Sequence, residues 1–359
     1  MLKNIYEDVT KIVKEFKISG SVQSMESVKS GNINSGYVVY MDNGKKYSLQ
    51  VINKNVFKDI KSLMNNIELV TNHLISKGIK TLIIIPTKAN NSYLEYEEEY
   101  IRLYEYIDDV LCFDKATDKE KLKETSKSFA EFTLGLNDFD TSKIVDTISD
   151  FHNTEKRYKD FLKAVDADVK GRRKEVTDEI NFIKYFKDEY SIITNCLSQG
   201  KIPSRITHND TKISNILFSK DKNNSNVVID LDTVMQGSFL YDYGDAIRSS
   251  CSSAEEDETN LNNVYLNIDF FKGLTEGYLE VLGKDLNKYE IMHMVTSVKL
   301  MTLELAMRFL TDYLKGDVYF KILYPTHNLD KARNQIHLAK DIIKNHHKLK
   351  KIIKDIMQN

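Results

Sequence analysis

Three cysteines in 359 residues, Cys112, Cys196 and Cys251, stand far apart, are odd in number and form no CxxC pair. That excludes a disulfide framework and a cysteine-based zinc site. No stretch approaches the roughly 20 consecutive apolar residues that a membrane-spanning helix needs, the longest run lying near Leu82 and Pro86. The first residues, MLKNIYEDVTKIVKEF, carry charges every few positions and lack the apolar centre of a signal peptide, so they read as an amphipathic helix. A cytoplasmic location is the expectation. An excess of charge of one sign is also missing. With 51 Lys and Arg against 53 Asp and Glu, the formal net charge is −2 and the two signs are interspersed, which offers no surface for nucleic acid or an anionic membrane. A small molecule is the expected partner. The length allows two domains or lobes with ample buried core.

What is present is concentrated in residues 207–248, THNDTKISNILFSKDKNNSNVVIDLDTVMQGSFLYDYGDAIR. His208, Asn209 and Asp210 follow a short extended run, and Asn215 comes five residues after Asp210. Two apolar runs, 216–218 and 227–231, flank the turn-forming DKNNSN and predict a β-hairpin that brings Asp230 back beside Asn215. This is the order of a kinase catalytic loop, in which an Asp accepts the proton of the substrate hydroxyl while an Asn and a later Asp hold Mg²⁺. A phosphoryl group in transfer needs position and compensating charge more than covalent chemistry, and hard cations need oxygen ligands such as those of Asn215 and Asp230. Asp210 is then the base, Lys212 a cation for the moving charge, and His208 a brace for the loop. Each residue alone would pass for an Asx turn or a solvated strand end. Their joint spacing selects phosphoryl transfer, and the lack of DFG and APE turns the reading away from protein kinases.

Upstream, alternation on both sides of MDNGKK predicts two antiparallel strands joined at Asn43-Gly44. The SGNINSG before them reads as a loop whose small residues let backbone N–H groups approach nucleotide phosphates, with Gly31 and Asn32 as candidate contacts. Gly31 and Gly36 do not form GxGxxG, and an ordinary hairpin loop would look the same. Where the kinase template has a strand Lys, the register of YSLQ places Gln50, with Lys54 or Lys58 as alternative sources of the missing charge. Leu63, Ile67, Val70 and Leu74 predict a helix ending at Gly78, with Glu68 on a solvated face. Residues 81–86 and 93–96 read as further strands, and 119–200 mainly as helix with breaks at 136–140 and at FHNTEKRY, where His152 is a pocket residue or a structural one. A long helix over 288–314 carries Glu304, Arg308 and Asp312 on one flank, a spacing that by itself reads as a salt-bridge ladder.

The run VIDLDTVMQGSFLYDYGDAIR closely resembles the N-acetylhexosamine 1-kinases, a branch of the aminoglycoside phosphotransferase and choline kinase group. So do FHNT, ELAMRFLTDYLKGDVYFK and HNLDKARNQ, and the resemblance extends discontinuously to about residue 340. Gln236 departs from it, standing where that branch has Pro. The resemblance implies an α+β, bilobal protein-kinase-like fold: a small β-rich lobe over 1–107, a larger helical lobe over 108–359, and ATP between them. It places a hinge near Tyr104 and Ile107, where adenine would be met, and it tolerates Gln50, since the branch also reads LQ. It makes Arg308 a sugar contact and Asp312 its neighbour in the same run; Asp245 is a loop anchor or a sugar contact, with Arg248 beside it. The implied reaction is transfer to the anomeric hydroxyl of N-acetylglucosamine or N-acetylgalactosamine. An aminoglycoside- or choline-type kinase would share the loop without the sugar pocket. A kinase-like binding module is favoured by Gln50 and disfavoured by the retention of Asp210, Asn215 and Asp230.

Overall fold

The computed structural model describes residues 5–28, 33–221 and 223–358. In chain order the elements are α1 (Ile5–Lys14), β1 (Val22–Val28), β2 (Ser35–Met41), β3 (Lys46–Ile52), α2 (Ile60–Ser76), β4 (Leu94–Tyr96), β5 (Glu99–Glu105) and β6 (Val110–Leu111). There follow α3 (Lys119–Gly135), α4 (Thr154–Ala167), α5 (Thr177–Tyr185), α6 (Ile192–Ser198), β7 (Arg205–Thr207), β8 (Ile216–Ser219), β9 (Val227–Val228) and β10 (Met235–Gly237). Four helices complete the chain: α7 (Phe239–Ser250), α8 (Ile268–Leu282), α9 (Lys288–Lys315) and α10 (His327–Gln358). They form two compact units, each discontinuous in sequence.

The first unit comprises Met1–Cys112, Asp138–Ser149 and Leu217–Met235. Its five-stranded sheet runs β1-β2-β3-β5-β4, with antiparallel pairing throughout. The β2–β3 hairpin forms as the alternation predicts, and Gly44 supplies the positive φ of +80° at its turn. Every second residue points inward, so Val39, Leu49, Ile101 and Leu103 are buried with Val9, Ile12 and Phe16 from the N-terminal segment. In α2 the Asp59 side chain caps the first turn by accepting from Ser62 N, and Leu63, Ile67, Val70 and Leu74 face the core while Glu68 is exposed. Residues 81–86 do not make the expected strand. They form one bridge, Ile84 with Tyr104, and two backbone bonds, because Pro86 has no N–H to extend the ladder and its carbonyl accepts from Lys17 N. The hairpin after the catalytic loop is present as β8 and β9, with β8 also paired to β6. Its second arm is shorter than expected, since Asp230 turns into the left-handed region at φ +60° and a 3₁₀ turn follows.

The second unit comprises Phe113–Asn137, Asp150–Ile216 and Gln236–Asn359, and is mainly helical. The 28-residue α9 starts at a capping box of Asn287 and Glu290 and stops at Gly316, whose φ of +95° ends the helix. It packs closely on α7: a Cβ at Gly244 would fall 2.8 Å from the Ser297 carbonyl oxygen. At the start of β7, Arg205 forms a buried ion pair with Glu290 at 2.9 Å. The Lys-rich C-terminus is helical, as α10. Among the described residues no helix is long and apolar enough to cross a membrane.

Candidate active site

In the helical unit β7 delivers the chain to His208, Asn209 and Asp210, with Asn209 at φ +63°. Asp242 on α7 fixes this turn by accepting from His208 N at 2.8 Å and Asn209 N at 2.7 Å, and its own carbonyl accepts from Thr211 Oγ1. Burial pushes the Asp242 carboxyl above its usual range, with His208 and the two backbone donors pulling the other way. The His208 ring is wholly buried against Phe129 and Phe132, and its Nδ1 accepts from Asp210 N. It braces the loop.

Asp210 carries the loop's accessible carboxylate. Lys212 Nζ lies 2.8 Å from its Oδ1, and Asn215 Nδ2 donates both to its Oδ2 at 3.0 Å and to its carbonyl oxygen at 2.8 Å. With the Asn215 amide donors directed at Asp210, the amide oxygen is the atom left to accept or ligate.

A second cluster in the same unit adjoins this loop. His152, just before α4, has Nδ1 at 3.2 Å from Glu304 Oε1 and Nε2 at 3.4 Å from the Asn209 carbonyl oxygen. Burial opposes its positive charge, but Glu304, by charge and hydrogen bond, and then Asp245 hold the imidazole above its usual range. Glu304 Oε2 and Arg157 Nε are buried without hydrogen-bond partners among the described residues. Arg308 lies over the rings of Phe151 and Phe320 at 5.8 and 5.5 Å and, among the described residues, pairs with no carboxylate. Burial, and then the charge of Arg308, push the Arg157 guanidinium below its usual range. The ladder read from helical spacing is therefore absent. Glu304 points to His152, and Asp312 accepts from the backbone N–H groups of Val318, Tyr319 and Phe320 and from Asn328. Asp312 thus organises the loop after α9, with both carboxylate oxygens engaged. Asp245 is held by Arg248 at 2.8 Å, and Arg248 also meets Glu256.

In the sheet unit, Asp230 is exposed at the end of β9, and Asp232 beyond it is buried. Both Asp232 oxygens meet Arg102 of β5, and one also accepts from Asn34. Gln50 sits opposite Arg102 across the β3–β5 ladder and accepts from its Nε at 2.9 Å and Nη2 at 2.7 Å. Lys54 is committed to the Glu98 carbonyl oxygen at 2.7 Å, and Lys58 is exposed, so the buried cation beside Gln50 is Arg102. Tyr104 is buried, its ring 5.3 Å from the Arg102 guanidinium, and Ile107 is half-buried just past β5. Gly31 and Asn32 lie outside the described residues.

Residues 24–269 match the model of the family described as "APH: Phosphotransferase enzyme family". The chain belongs to that phosphotransferase family. The match spans more than half of the sequence and contains Gln50, Arg102, the catalytic loop, Asp230 and Asp245. Solved structures share the fold at low identity. An aminoglycoside phosphotransferase from Alicyclobacillus acidocaldarius superposes with a TM-score of 0.64 at 14% identity, over 97% of this chain and 96% of its own. A microcompartment-associated aminopropanol kinase gives 0.58 at 14%, over 96% and 98%. A spectinomycin phosphotransferase solved with ADP and spectinomycin gives 0.59 at 13%, over 95% and 98%. The protein is thus a small-molecule phosphotransferase of the α+β, protein-kinase-like fold, acting on a hydroxyl acceptor. Glu304, Arg308 and Asp312 fall beyond residue 269, outside the family match.

Arg102, Asp232 and Asp242 are functional residues that the sequence motifs do not single out. An Arg inside the apolar strand run EYIRLYEYI was the available signal for the first, because a charge there needs a buried partner. Asp242 stands in the same YDYGDAIR run from which Asp245 was singled out.

Proposed function

We propose that this phosphotransferase moves the γ-phosphoryl group of ATP to the anomeric hydroxyl of N-acetylglucosamine or N-acetylgalactosamine, giving the sugar 1-phosphate and ADP. The carrying observation is the charge of the cluster beside the catalytic loop. His152, held toward its charged form, contacts Glu304 at 3.2 Å, and the guanidinium groups of Arg157 and Arg308 act electrostatically on the same cluster, while Asp245 is already paired with Arg248. Such surroundings repel an ammonium group, which aminoglycosides, choline and amino alcohols all carry, and they suit a neutral, hydroxyl-rich and acylated ring. Glu304 Oε2 and the Arg308 guanidinium offer an acceptor and donors to such a ring. Resemblance of the YGDAIR and AMRFLTDYL runs to the N-acetylhexosamine kinases supports the same choice.

In the reaction Asp210 accepts the proton of the anomeric hydroxyl as that oxygen bonds to the γ-phosphorus and the bond to the β–γ bridging oxygen breaks. The ring oxygen makes this hydroxyl more acidic than the others, so a carboxylate suffices. Lys212 brings positive charge to the same carboxylate and to the phosphoryl group in flight. Asn215 and Asp230 are the candidate Mg²⁺ ligands, since each carries a side-chain oxygen that suits a hard cation. Bound Mg²⁺ would offset the negative charge of the phosphates.

Coupled measurement of ADP release against free sugars, choline and aminoglycosides tests the assignment. N-acetylhexosamines are expected to give the highest kcat/KM, and a preference for any cationic acceptor would overturn it. Arg308→Ala should raise the sugar KM about tenfold or more with little change for ATP, because a donor built to meet the substrate is lost. Equal KM values in mutant and wild type would remove Arg308 from the sugar site.

A further inference from the structure

We infer that Gln50 contacts the nucleotide phosphates through its side-chain Nε2, and that Arg102 is the positioning residue that orients it, the two replacing the lysine and glutamate of other kinases. The inference rests on the nucleotide reading above. In the kinase template a strand Lys meets the α- and β-phosphates and is held by a helix Glu. Here β3 carries Gln50 toward its end, flanked by Gly36 on β2 and Arg102 on β5.

Arg102 itself has nothing left to give a phosphate. Its Nε and Nη2 both donate to Gln50 Oε1, Nη1 and Nη2 meet the two Asp232 oxygens, and Nη1 also approaches Met64 Sδ at 3.8 Å. The guanidinium is therefore saturated, and it is fully buried. Two N–H groups converging on Oε1 settle the orientation of the Gln50 amide, since the alternative would set Nε2 against a cation. Among the described residues Nε2 then has no hydrogen-bond partner, although it carries two donors on a half-buried side chain. A phosphate oxygen is the acceptor that a donor at this strand position would meet. Asp232 carries the compensating charge that lets Arg102 remain buried, and it also accepts from Asn34 at the entry to β2.

Gln50→Glu tests this directly. The carboxylate keeps a partner for Arg102 but replaces the two donors with an acceptor, so affinity for Mg-ADP, measured by calorimetric titration, should fall about tenfold or more. Affinity for adenosine, which lacks phosphates, should be unchanged. Arg102→Lys keeps the charge beside Asp232 but cannot hold Gln50 with two parallel N–H bonds, so it should weaken ADP selectively as well. Unchanged ADP affinity in Gln50→Glu would overturn the inference, and parallel loss of ADP and adenosine in either variant would assign the trio to the fold alone. Failure of the wild-type protein to bind ADP would instead refute the nucleotide reading itself.

Discussion

Asp210→Asn should lower kcat by about 10²- to 10⁴-fold while leaving ADP affinity and thermal stability near wild type. The amide has nearly the same shape as the carboxylate and keeps one oxygen for the buried Asn215, while the more exposed Lys212 can turn to water. What it lacks is the capacity to take the hydroxyl proton. The loop's geometry does not depend on this side chain, because Asp242 and His208 hold the backbone at Asn209 and Asp210 from beneath. Steady-state kinetics with saturating sugar, alongside a melting curve, separates the two effects. A kcat close to wild type would take the base role away from Asp210.

The second large effect is expected at Asp242. In Asp242→Ala the N–H groups of His208 and Asn209 stay buried without an acceptor, at a cost of about 1–3 kcal/mol each. Relief of a desolvated carboxylate, whose burial already pushes its pKa up, offsets part of that loss. Asp242→Asn supplies one oxygen in place of two, so it should lose about half as much by the same count of unmet donors. Denaturant melts are expected to order the three proteins as wild type, Asn, Ala, with kcat following the same order because Asp210 rides on the same turn. A stable Asp242→Ala protein with normal turnover would show that the turn is held by something else.

These two residues also mark what the sequence made legible. That Asp210, Lys212 and Asn215 cluster was readable because they lie within six residues of one loop, and the β2–β3 hairpin because alternation and Asn43-Gly44 are local signals. Asp242 and Arg102 were not, since a buried charge is defined by a partner that is distant in sequence: Asp242 lies more than 30 positions from His208, and Arg102 is 130 from Asp232. Helical spacing misled in the same way. Glu304, Arg308 and Asp312 share a flank of α9, yet one faces His152, one covers two phenyl rings and one ties a loop, and a four-residue period carries no information on which neighbours are present. At residues 81–86 the apolar run was real, but the proline that closes it limits the pairing to a bridge.

The position of the phosphate on the sugar is decisive. Incubating the protein with Mg-ATP and N-acetylglucosamine or N-acetylgalactosamine, and locating the phosphorus by its coupling to the sugar protons, reads that position directly. The expected product shows phosphorus coupled to the anomeric proton and has lost its reducing end. A phosphorylated sugar that keeps its reducing end would contradict the 1-kinase assignment while leaving the phosphotransferase fold and its catalytic loop in place.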